Sequence, residues 1–164
     1  MSLPLPVRPP TTTPASSLAS PRVVIVSAPG MGDIALGILY PDGQILICGD
    51  RPDEGEVVSI ASLRTQRPNL RLTTCPVGRG VGGCIADVLT ANGQGQYAGQ
   101  AAAMRVSPVT LVIPGSAPVP AILFADSNRV KFRVGSSARV TTIDSLFSNS
   151  TLVAPRDLPG YRWG

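Results

Sequence analysis

The hydrophobic positions of this chain fall in short runs of six to eight residues, separated by turn-forming residues. Runs of that length are strands rather than amphipathic helices. Residues 22–28 (RVVIVSA) form a β-branched run closed by Pro29 and Gly30. Residues 34–40 (IALGILY) and 44–49 (QILICG) flank Pro41, Asp42 and Gly43. Proline presets φ there and glycine accepts a positive φ, so a hairpin is predicted. Strands at 56–63 (EVVSIASL) and 70–77 (LRLTTCPV) follow, and 109–114 (VTLVIP) and 119–125 (VPAILFA) bracket the turn residues 115–118. In 129–135 (RVKFRVG), strict alternation puts Val130, Phe132 and Val134 on one face. Lys131 and Arg133 fall on the other, which reads as the solvent side. Residues 138–144 (ARVTTID) are expected to pair with this strand across residues 135–137. Only 84–103 departs from the pattern: its alanines favour one or two short helices, interrupted by Gly93, Gly95 and Gly99. The fold class expected is mainly β, a single sandwich or barrel-like domain over residues 22–150.

The two ends differ from this domain. Six of the 17 prolines lie in the first 21 residues, where each fixes φ and removes a backbone donor. Residues 1–21 therefore read as a proline-rich extended arm. Disordered tails are usually rich in charge, whereas this arm carries Arg8 alone beside Leu3, Leu5, Val7 and Leu18. Those five residues are candidates for binding a partner. Residues 151–164 form a second extended tail, in which Tyr161, Arg162 and Trp163 belong to types enriched at interface hot spots.

Composition sharpens that reading. Charged residues make up 15 % of the chain, against about 25 % in an average globular protein. A surface so poor in charge is expected to be covered in part by other protein. The net charge of +4 comes almost wholly from arginine, with Lys131 the only lysine, and Arg64, Arg67 and Arg71 are the nearest approach to a basic patch. The three cysteines form no disulfide framework, the N-terminus lacks a secretory apolar region, and no apolar run is long enough to cross a bilayer. Assembly in a reducing cytoplasm is the expectation.

Histidine is absent, which removes Ser-His-Asp and Cys-His catalysis and the common zinc sites. The phosphate-binding loop is excluded as well, because its lysine must follow glycine and Lys131 follows Val130. Residues 78–83 (GRGVGG) match the dinucleotide pattern, with Gly78, Gly80 and Gly83 in register. The acidic residue that should follow about 20 positions on is missing, since no carboxylate occurs between Asp87 and Asp126. A structural glycine turn is the better reading. Cys75 and Cys84 flank this turn at a spacing unlike a metal site, and only Cys48 remains to join them. The acidic group Asp50, Asp53, Glu54 and Glu56 does not follow a calcium-loop spacing and reads as a solvated loop. A Ser-Lys dyad has only Lys131 as its base, on the face assigned to solvent. Aromatics at 4 % are too few for a nucleic-acid groove, with Phe132 between Arg129 and Arg133 the only partial case. No catalytic, cofactor-binding or metal residue is assigned.

In layout, with the arm 1–21, the strands 22–145 and the tail 151–164, the chain resembles the capsid decoration (cement) proteins of tailed bacteriophages. That resemblance implies a non-enzymatic virion protein, assembled in the host cytoplasm, with the major capsid protein or another virion protein as partner. It also implies self-association, often as a trimer, over junctions between capsid subunits. No cofactor, membrane or specific nucleic acid is expected. A head–tail connector or tail component is the neighbouring alternative, and a small nucleotide-binding enzyme centred on Gly78–Gly83 is the rival from a different class.

Overall fold

The structure, a computed structural model, describes residues 21–29, 34–49, 51, 53–76, 79–146 and 150–153. Among them the chain is mainly β, with ten strands in two antiparallel five-stranded sheets and three short helices. The first sheet takes β1 (Arg22–Ser27), β2 (Ala35–Leu39), β3 (Gln44–Cys48), β4 (Gly55–Ser59) and β5 (Arg71–Thr74), in the order β4-β3-β2-β1-β5. The second takes β6 (Val106–Val112), β7 (Val119–Phe124), β8 (Arg129–Val134), β9 (Ser137–Thr142) and β10 (Thr151–Val153), in the order β10-β6-β7-β8-β9. Helix α1 (Ile60–Gln66) joins β4 to β5. Helices α2 (Val81–Ala91) and α3 (Ala98–Ala102) connect the two sheets.

Turn chemistry sets the registers. At Pro41–Gly43 the Gly43 amide donates to the Tyr40 carbonyl at 3.1 Å, and Gly43 has a φ of +86°. The Asp42 carboxylate accepts from the Gln44 amide at 3.1 Å, closing the turn on itself. The expected strand at 56–63 stops at Ser59. Its hydroxyl caps α1 by accepting from the Ser62 amide at 3.0 Å. Ile60 and Leu63, one helical turn apart, then lie over Val24, Val26 and Ile45 on the outer face of the first sheet. The end of that predicted strand is therefore a helix. The first three residues of the C-terminal tail form the edge strand β10, paired with β6.

Three apolar layers result. The central one joins Val23, Ile25, Ile38 and Leu46 of the first sheet to Val81, Cys84, Ile85 and Leu89 of α2, and to Val106 and Ile122 of the second sheet. The layer under α1 is the second. The third lies on the far face of the second sheet, where Val109, Ala121 and Val130 pack with Leu123, Phe132 and Leu152. Because β1, β2 and β3 are buried on both faces, their sequences read as unbroken apolar runs rather than alternating ones. The sheets meet where β4 packs on β9, whereas on the β1 and β6 side α2 stands between them. This wedge leaves a cleft beside α2.

Candidate functional site

Strand β8 carries three basic residues at alternate positions, so all three project from one face. That face is turned to the first sheet. Arg129 Nε donates to the Asp53 carboxylate at 3.3 Å. Lys131 Nζ donates to the carbonyls of Gly49 and Arg51 at 3.1 and 3.0 Å, and stands 4.8 Å from the centre of the Phe124 ring. Arg133 donates to the Asp42 carboxylate at 2.8 Å and to Gln44 Oε1 at 3.0 Å, and its guanidinium covers the Tyr40 ring at 3.7 Å. The three side chains thus form a ladder from β8 onto the β2–β3 and β3–β4 loops.

This corrects the expectation for Lys131. It is 2 % exposed, among the most buried side chains of the described residues. Alternation identifies which residues share a face, but not which face meets protein. Here the face bearing the cations is opposed by carbonyls, carboxylates and aromatic rings. On the other face Val130 is buried in the third layer, and half-buried Phe132 packs against it. Two carbonyl acceptors and an aromatic face are partners for a donor and a cation, not for a proton acceptor. Lys131 is placed as a structural cation rather than the base of a Ser-Lys pair. The acidic loop is solvated as expected, with Asp53, Glu54 and Glu56 exposed; within it Asp53 meets Arg129, and Glu54 Oε1 accepts from the Arg51 amide at 3.3 Å.

The cleft holds about 1040 Å³ and has Lys131 in its wall. Ile25 and Leu36 from the first sheet, Ile85 and Leu89 from α2, and Val106 and Phe124 from the second sheet make its apolar lining. Gln94, Gln100, Arg51, Arg105 and Asp126 supply its polar groups. Tyr97 and Met104 also line it and are 49 % and 41 % exposed. With Val134 they are the exposed large hydrophobics among the described residues. Cys48 is part of the same wall. Burial pushes its thiol up to about 12 against the opposing influence of Lys131, which keeps it protonated and a poor nucleophile.

The glycine turn stands apart from this lining. Gly80 precedes the first turn of α2, and a Cβ there would meet nothing within 4 Å. Gly82 is different: a Cβ would lie 2.5 Å from the Ala101 carbonyl oxygen at the end of α3, so glycine is needed for α2 and α3 to pack. Arg79 and Asp87 form an ion pair across the first turns of α2. Gly82, which is not one of the three glycines in register with the dinucleotide pattern, thus has a packing role that the pattern does not reveal. Among the described residues no group of His, Cys, Asp and Glu is arranged to hold a metal ion, and no helix is long and apolar enough to cross a membrane.

The candidate partner-binding residues Leu3, Leu5, Val7, Arg8, Leu18, Tyr161, Arg162 and Trp163 all lie outside the described residues, as do Gly78 and Asp50. Sequence reasoning missed the cleft and its two exposed side chains. Tyr97 and Met104 sit 7 residues apart in a segment of glycine, glutamine and alanine. An aromatic and a methionine isolated in such a segment were the available signal. The chain matches no protein-family model, no curated protein and no solved structure.

Proposed function

We propose that the protein is a virion structural protein that binds and stabilises a capsid lattice, as decoration proteins do. The observation that carries this reading is the mouth of the cleft. Two of the three large hydrophobic side chains left exposed among the described residues stand there with two arginines, Arg51 and Arg105. Tyrosine, methionine and arginine are the types that protein interfaces enrich, and a recess beside them receives a partner's apolar side chains. The ladder of β8 supports the same reading, since it ties both sheets into one stiff block. The low charge of the chain and the apolar, weakly charged residues 1–21 add area that a neighbouring subunit would cover.

The partner is a capsid subunit, contacted by the cleft face and by the arm 1–21. Deleting residues 1–21, and separately making Tyr97→Ala with Met104→Ala, tests both parts by co-sedimentation with capsid shells. Each change is expected to weaken binding at least 10-fold, about 1.4 kcal/mol or more, while circular dichroism stays that of the parent. Undiminished binding and self-association in both variants would remove the proposal. Saturable binding of a nucleotide in place of shells would instead support the enzyme alternative.

A further inference from the structure

Cys75 and Cys84 lie against each other. Their sulfurs are 2.9 Å apart, Cys75 Sγ being the donor, and both residues are buried, at 4 % exposure each. Cys75 follows β5, and its amide donates to the Val23 carbonyl at 3.0 Å, so it is anchored to the first sheet. Cys84 lies in the first turn of α2, where its amide donates to the Gly80 carbonyl at 3.2 Å. Two independently anchored elements therefore hold the thiols in contact. A disulfide sulfur–sulfur bond is about 2.05 Å, so closing the pair needs a shift of about 0.9 Å from the observed 2.9 Å. Pro76, Arg79 and Gly80, the described neighbours of the pair along the chain, are exposed, and the Arg79 carbonyl lies 3.9 Å from Cys75 Sγ, so the pair sits close under the surface.

We infer that Cys75 and Cys84 are a redox-active dithiol that forms a reversible disulfide by exchange with a small-molecule disulfide such as oxidised glutathione. In the first step one thiolate attacks a glutathione sulfur and expels one glutathione thiol. In the second, the other cysteine attacks the mixed disulfide and expels the second glutathione. The balance is two protein thiols and one glutathione disulfide giving one protein disulfide and two glutathione thiols. The bond would pin the start of α2 to the end of β5. It would close a loop of nine residue steps and restrict the unfolded chain. Burial, with Cys84 beside it, pushes the Cys75 thiol up to about 12, so exchange is slow at neutral pH and quickens as pH rises. Cys48, buried elsewhere in the central layer, is the internal control. This inference does not depend on the capsid reading.

Arg79 lies between the two cysteines, so trypsin places Cys75 on fragment 72–79 and Cys84 on fragment 80–105. The full chain is incubated with oxidised glutathione at pH 8–9 and mapped without reduction. The two fragments are expected to run as one species, about 2 Da lighter than their sum and separated again by dithiothreitol. The thermal midpoint of the oxidised chain should rise by roughly 5–10 °C. Cys75→Ser or Cys84→Ser abolishes both effects, and Cys48→Ala leaves both. The wild-type map decides the matter even if a serine variant fails to fold. Two unlinked fragments with free or singly glutathionylated thiols overturn the inference.

Discussion

Lys131 is the residue whose replacement should cost most. Removing its ammonium leaves the part-buried Gly49 and Arg51 carbonyls without this donor. A buried acceptor stripped of its partner is penalised far more than the hydrogen bond contributed. Lys131→Met is expected to lose about 2–4 kcal/mol in urea unfolding; a loss below about 1 kcal/mol would show that the carbonyls find other donors. The glycines of the turn offer a sharper contrast. Gly82→Ala drives a methyl into the Ala101 carbonyl oxygen and should cost about 1–3 kcal/mol. Gly80→Ala meets open space at a negative φ and should stay within about 0.5 kcal/mol of the parent. Equal effects at the two positions would contradict the packing role given to Gly82. Thr110 is 0 % exposed, and its hydroxyl has no hydrogen-bond partner among the described residues. Thr110→Val should therefore be neutral or stabilise by up to about 1 kcal/mol, read as a shift in urea midpoint.

At the scale of elements, the β2–β3 turn responds to acid. Partial burial would raise the Asp42 carboxyl, but the Gln44 amide and the Arg133 guanidinium outweigh it and hold the group below its ordinary 3.8. A depressed carboxylate contributes its stability above the unfolded value. That contribution fades as pH falls through the folded one, so the loss belongs below about pH 4. The side chain is 53 % exposed, which limits the effect to about 0.5–1 kcal/mol. Asp42→Asn should flatten this part of the acid limb and leave stability at pH 7 lower by a similar amount; an unchanged acid limb would count against the pairing. This hairpin was readable in advance, because proline and glycine impose dihedral angles whatever surrounds them. Nine of the ten strands were anticipated from apolar runs, and β10 fell in a stretch read as tail. The helix at 60–66 was missed because Ile60 and Leu63 look like a continuing strand unless Ser59 is recognised as a cap. That the cationic face of β8 meets the first sheet could not be read either. That depends on loops 76–91 residues away in sequence that no local pattern reports.

For the whole molecule, the ladder has a kinetic consequence. Each sheet is built mostly from hairpins between neighbouring strands, which form early and locally. The ladder instead closes loops of 76–91 residues and can form only once both sheets exist. Contacts made after the folding barrier leave the folding rate alone and act on the unfolding rate. Arg133→Met should therefore accelerate unfolding several-fold in stopped-flow experiments while refolding changes by less than about 2-fold. A matching slowdown of refolding would place the ladder in the folding nucleus instead. Barrier height, more than equilibrium stability, governs how long a protein survives once assembled and unable to exchange. By this measure the three cations of β8 set the lifetime of the folded chain.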